Sequence, residues 1–162
     1  MIRIILKTVA EGAIKLFSGT GRAGESFAAR EVFQHYGFSS AAPKGAEGIA
    51  IRAGNNIVLI AEDDRRYRLK IKNGEVALYT DEGDHVHLKR GRVVEVVTET
   101  LVIKAGTKVR IESPQVEATG EIIDWCDSDG RSMEQMRITY DSHTHQQVQP
   151  GIGNSGVPNQ GM

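Results

Sequence analysis

The chain holds a single cysteine, Cys126, among its 162 residues. An intrachain disulfide framework and a CxxC metal or redox site are therefore excluded. Aromatic residues make up only 6% and hydrophobic residues 40%, which is thin for a large compact core. No apolar run exceeds a few residues, Ile57 to Ala61 being typical, so no segment has the length of a membrane-spanning helix. Charge of one sign is lacking too, because 20 Lys and Arg stand against 21 Asp and Glu. That balance removes the sequence-wide basic field that draws in nucleic acid or anionic lipid. The opening Met1-Ile-Arg-Ile-Ile-Leu-Lys has neither the apolar stretch nor the cleavage site of a signal peptide. No Gly-x-Ser-x-Gly elbow, P-loop or HExxH is present, and the expectation is a protein that is not an enzyme.

What is abundant is Val, Ile and Gly, with 18 glycines spread along the chain. Stiff β-branched side chains fit a pleated sheet, and dispersed glycines fit many tight turns. The expectation is an all-β protein. Residues 1–74 carry strand candidates at Ile2–Val9, Ala13–Ser18, Ala28–Tyr36, Ile49–Arg52, Ile57–Glu62 and Arg66–Lys72. Turn-rich breaks such as Gly54-Asn55-Asn56 and Asn73-Gly74 separate them. Five or six strands in this length suit a small barrel such as an OB-fold. The apolar spacing of Ala28–Tyr36 fits a short helix as well as a strand.

Residues 75–140 read differently. Val109 and Ile111 alternate strictly with Lys108, Arg110 and Glu112, and apolar positions recur at about eight residues in Val86, Val94 and Val102. Short strands at this spacing suit a β-helix or β-prism. Each strand offers only two or three apolar side chains, and a lone stack would have open edges and little buried area. Three copies wound around a common axis solve both problems, which points to a homotrimer. A single-chain sandwich of two small sheets is the alternative that the pattern leaves open.

Residues 141–162 are rich in Gly and Pro and contain His143-Thr144-His145. In an extended strand, residues i and i+2 share a side, so both imidazoles can face one axis. One chain supplies two ligands; a threefold axis brings six nitrogens to one ion. That is an octahedral set suited to iron, nickel or cobalt rather than to tetrahedral zinc. A shell so filled leaves no position for water or substrate, so the ion would be structural. Asp141 and Ser142 are candidates for supporting acceptors. The bland reading of this pair is two surface histidines near a chain end.

The other pair, His85-Val86-His87, lacks the glutamate that a cupin metal site expects four or five residues later; Gly91 and Arg92 stand there and the nearest is Glu95. These histidines read as polar residues lining a sheet beside Leu88 and Lys89. Asp63-Asp-Arg-Arg66 reads as a mixed-charge turn. Gly19-Thr-Gly-Arg-Ala-Gly24 spells G-x-G-x-x-G without the strand–helix unit that gives it meaning, and reads as a hairpin loop. Cys126, beside Trp125, is expected to be packed.

Tyr36-Gly-Phe38 with Pro43-Lys-Gly-Ala-Glu-Gly48, Asp63-Asp-Arg-Arg-Tyr-Arg68, Gly74-Glu-Val-Ala-Leu-Tyr79 and His85-Val-His-Leu-Lys89 together resemble the Mu-like family of phage baseplate spike proteins. Asp141-Ser-His-Thr-His145 before its short Gly/Pro-rich tail resembles the iron-binding apex of contractile-tail spikes. The likeness covers about residues 27–162, and the family carries residues ahead of its barrel where this chain opens directly in a strand candidate. It implies an N-terminal OB-fold-like barrel (1–74), an intertwined trimeric β-helix (75–140) and a metal-capped apex (141–162). It further implies a homotrimer at the baseplate tip of the virion, joined to hub and tail-tube proteins. Sheath contraction would drive that spike through the host outer membrane. On this likeness His143 and His145 of three chains hold one structural iron ion; calcium and chloride are further apex ions of the family, with no ligands assignable here. The competing readings are an OB-type nucleic-acid-binding module, disfavoured by the charge balance, and an oligomeric metal-binding protein or metalloenzyme joining His85, His87, His143 and His145 within each chain.

Overall fold

The computed structural model describes residues 1–143. Among them run eight strands and one helix: β1 (Ile2–Ala10), β2 (Leu16–Thr20), β3 (Ser26–Val32), β4 (Glu47–Ala53), β5 (Asn56–Asp63), β6 (Val76–Tyr79), β7 (His85–Lys89), β8 (Val93–Val97) and α1 (Met133–Ser142). The chain divides into two compact units, Met1–Ile103 and a second that begins at Lys104.

The first five strands close into a barrel in the order β1-β2-β3-β5-β4, with β4 returning to β1. Neighbours are antiparallel except β3 and β5, which pair in parallel. This is an OB-like barrel, and its interior follows from alternation along the strands. In β1 the side chains of Ile4 and Leu6 are buried while Arg3, Ile5 and Lys7 face out. A register shift between Leu6 and Thr8 then inserts one residue, so the inward phase resumes at Val9. Ile4, Leu6, Phe17, Val32, Ala46, Ala50 and Leu59 form the core. Two strand glycines make room for it. A Cβ on Gly19 would lie 2.6 Å from both Ile4 Cγ2 and the Ile5 carbonyl oxygen, and one on Gly48 would lie 2.6 Å from Leu59 Cδ1.

The segment Ala28–Tyr36, open between strand and helix on its spacing, is a strand over its first part, because β3 must pair with both β2 and β5 to close the ring. The Gly19–Gly24 stretch enters the β2–β3 hairpin loop as expected, with Gly24 at φ +85°. Arg66–Lys72, in contrast, is not a strand. The Asp64 carboxylate accepts the Arg66 backbone N–H and its guanidinium. This local turn competes with extension.

Beyond the barrel, β6, β7 and β8 form an antiparallel three-stranded sheet. No strand follows between residues 98 and 121, and Val109 and Ile111, for all their alternation, are exposed and unpaired with any strand among the described residues. The helix α1 is an addition to the all-β expectation. Ser132 accepts the Gln135 N–H and Gln135 Oε1 accepts the Ser132 N–H. This reciprocal capping box starts a helix in a run of good helix formers. No residue of α1 is buried.

Candidate metal centre

His143 sits at the C-terminal end of α1 with extended backbone, φ −69° and ψ 145°. Its Nδ1 lies against the carbonyl oxygen of Tyr140 one turn earlier, and its ring is 5.3 Å from the Tyr140 ring. A carbonyl only accepts, so this contact puts a proton on Nδ1, and in the neutral ring that tautomer leaves the lone pair on Nε2. This is the usual way a metal-ligating imidazole is fixed in tautomer and direction. The residue types therefore fit a nitrogen-ligated ion at His143. Ser142, a candidate supporting acceptor, instead donates its hydroxyl to the Ile138 carbonyl at 2.7 Å. Thr144, His145 and the rest of the expected apex lie outside the described residues.

The histidines of β7 are placed by a different logic. His85 and His87 alternate with Val86 and Leu88, so they share one face of the β6–β8 sheet with Glu95, which pairs opposite His87. His87 is 6% exposed, and its Nε2 lies 3.1 Å from Glu75 Oε2. Glu75 also accepts the backbone N–H groups of Arg90 and Lys72, at 3.0 and 2.9 Å. These two amides and then the His87 contact hold its carboxyl down at about 2. Glu95 takes Lys89 Nζ at 2.5 Å and stands 3.6 Å from His85 Nε2. Its pKa is lowered, chiefly by Lys89. Both histidines thus line a sheet, as their sequence context suggested, and the structure adds a carboxylate beside each. Among the described residues no group of three or more His, Cys, Asp or Glu side chains is arranged to hold a metal ion.

One cluster has no counterpart among the sequence expectations. Lys15 reaches Gln34 Oε1, Ser39 Oγ and the Ser40 carbonyl, while Gln34 donates back to Ser40. This staple fixes the loop after β3, which presents Phe33, Tyr36 and Phe38 to solvent. Beside it the half-buried Glu62 accepts the Ala42 N–H at 3.2 Å. Burial raises its pKa above the usual range, against the lowering effect of that amide and of Lys15. Nothing in the spacing of Lys15 and Gln34 announces the staple, since the β2–β3 fold alone brings them together. Cys126, expected to be packed, is exposed, and Trp125 is 80% exposed. They lie in a tight turn where Trp125 takes φ +49° and leaves its ring outside.

Residues 3–66 match the family model described as Bacteriophage Mu Gp45, N-terminal. The barrel is similar to that phage domain. The matched stretch takes in the barrel strands from Arg3 onward together with the Asp64–Arg66 turn, and it ends before Glu75 and all the sheet histidines. It covers the resemblance at residues 36–48 and 63–66 and ends before the segments at 74–79 and 85–89. No curated protein and no solved structure matches the chain.

Proposed function

We propose that the chain is the central spike of a contractile phage tail baseplate. Three copies would share one axis, with the barrels attached to the hub and the stem and apex leading through the host outer membrane. The observation that carries this reading is the Gp45-type barrel over residues 3–66. The exposed apolar positions that follow it support the threefold part, since one chain leaves them uncovered. At the tip, His143 and His145 of each copy would hold one iron ion, and the tautomer set at His143 by Tyr140 suits that role. The ion would supply only a cross-link between three chain ends that packing does not secure. No catalytic step belongs to this function. Calcium or chloride would be additional ions of the apex.

Mass in solution combined with elemental analysis tests the proposal. Three chains and one iron per particle are expected. A monomer, or one metal per chain, would refute it.

One observation favours a second reading. Phe33, Tyr36 and Phe38 are exposed on one stapled loop of an OB-like barrel, and aromatic rings on such barrels serve as stacking platforms for single-stranded nucleic acid. The net charge of −1 opposes it. Retention on single-stranded DNA at low salt, lost in Tyr36→Ala and Phe38→Ala, would establish this reading over the spike.

A further inference from the structure

Asn73-Gly74 is the only Asn-Gly step in the sequence, and it forms the turn that precedes β6. The Glu75 N–H donates across it to the Lys72 carbonyl at 3.1 Å, and Gly74 takes φ +81°. Both turn residues are exposed to solvent. Over this turn lies a cation. Arg90, just past β7, donates Nε at 2.9 Å and Nη2 at 2.6 Å to a single acceptor, the main-chain carbonyl oxygen of Asn73. The Arg90 N–H is itself held by Glu75 Oε1 at 3.0 Å, so the side chain is anchored at its base. Only glycine admits it here, because a Cβ on Gly74 would run into the guanidinium. The same missing Cβ leaves the Gly74 nitrogen unshielded toward the Asn73 side chain.

We propose that Asn73 is a self-modifying site, at which the Gly74 nitrogen displaces ammonia from the Asn73 side-chain amide and Arg90 promotes the step. Gly74 gives its N–H proton to hydroxide, and its nitrogen forms a bond to Asn73 Cγ. The Cγ–Nδ2 bond breaks, Nδ2 takes a proton from water and leaves as ammonia, and a succinimide ring remains. Water then adds to either ring carbonyl. Opening at Cγ gives an ordinary aspartate at 73, and opening at the main-chain carbon gives isoaspartate, whose backbone runs through Cβ and Cγ. Arg90 acts at the first step. As the Gly74 N–H loses its proton, negative charge spreads through the peptide bond onto the Asn73 carbonyl oxygen. Two charge-assisted donors already point at that oxygen, and they favour the charged form over the neutral amide. Asn55, in the β4–β5 turn, is followed by Asn56, so the attacking residue there carries a Cβ. The isoaspartate lengthens the main chain inside the Lys72–Glu75 turn. Glu75 holds the Lys72 and Arg90 N–H groups from that turn, so the modification loosens both contacts. None of this depends on the spike reading.

The wild-type chain is incubated at neutral pH, folded and unfolded in urea. Peptide mapping reads deamidation at residue 73, enzymic methylation reads isoaspartate, and hydroxylamine cleavage after residue 73 captures the succinimide. Asn73 is expected to convert roughly 10-fold faster in the folded chain than in the unfolded one, while Asn55 lags behind it. Arg90→Met should bring the folded rate down to the unfolded rate or below, and Arg90→Lys, with one point of donation, should fall between. Circular dichroism checks that both variants fold, and neither should change the rate in urea. A wild-type folded rate equal to or below the unfolded rate would show that the turn protects Asn73, and overturns the proposal. That comparison needs no variant. A folded rate untouched by Arg90→Met overturns it as well, as does aspartate at 73 without isoaspartate or hydroxylamine cleavage, the mark of direct hydrolysis by water.

Discussion

His87 Nε2 on β7 stands 3.1 Å from Glu75 Oε2, and the same carboxylate accepts the Arg90 and Lys72 amides. One side chain thus ties the turn before β6 to the turn after β7. Arg90 completes the tie by donating its guanidinium to the Asn73 carbonyl across Gly74. Because Glu75 is held at about 2 in the fold, below the 4.5 of an ordinary glutamate, its contribution is fully present above about 4.5. It is lost only as pH falls through about 2. Glu75→Gln should lower stability at neutral pH and flatten the pH dependence between those limits. Thermal unfolding from pH 2 to 7, with exchange of the Arg90 amide, measures both; an unchanged profile would show that the carboxylate is idle.

Glu62 has the opposite sign. Burial raises its pKa above 4.5 in the fold, so its favourable contribution is present below 4.5 and lost as pH rises through the folded value. At pH 7 the barrel holds a partly desolvated carboxylate, one oxygen of which has no hydrogen-bond partner among the described residues. Glu62→Gln should therefore raise the denaturant midpoint at pH 7 and leave it nearly unchanged at pH 4. Equal shifts at both pH values would contradict the assignment.

Two glycines of the β2–β3 hairpin should fail differently. Gly24 has φ +85°, and no heavy atom stands within 4 Å of the place a methyl group would take. Gly24→Ala should therefore cost about 1–2 kcal/mol from backbone strain alone. At Gly19 the new Cβ meets the Ile5 carbonyl at 2.6 Å, which cannot retreat without breaking the β1–β2 ladder. Gly19→Ala should cost about 3 kcal/mol. Chemical denaturation of both variants orders them.

On the proposed spike reading, His143→Ala with His145→Ala should abolish iron binding, expected at one ion per three chains, while the trimer survives. Elemental analysis and native mass of the same sample check the two halves of this statement. Loss of the trimer would mean that the ion, and not the stem, holds the three chains.

The barrel was legible because five or six short strand candidates and the turn-rich breaks between them are local signals. Its closure was not, since the β3–β5 pairing links residues with no mark of each other in sequence. The Arg66–Lys72 segment misled because its apolar alternation looks like a strand, while the Asp64 carboxylate captures the Arg66 amide in a turn. The helix at Met133–Ser142 was missed although Ser132-x-x-Gln135 spells its capping box, because the eight-residue apolar recurrence upstream favoured strands. The sheet role of His85 and His87 was readable from the missing glutamate after them; the carboxylate against His87, Glu75, was not, lying twelve residues away across a turn.

The parallel β3–β5 contact that completes the barrel spans only two residue pairs, Glu31 with Val58 and Val32 with Leu59, extended by the Phe33 amide on the Leu59 carbonyl. Every other junction in the ring is a longer antiparallel ladder. Under mechanical load the ring accordingly has a seam, and it would unzip there first, baring Val32 and Leu59 while the four stronger junctions stay shut.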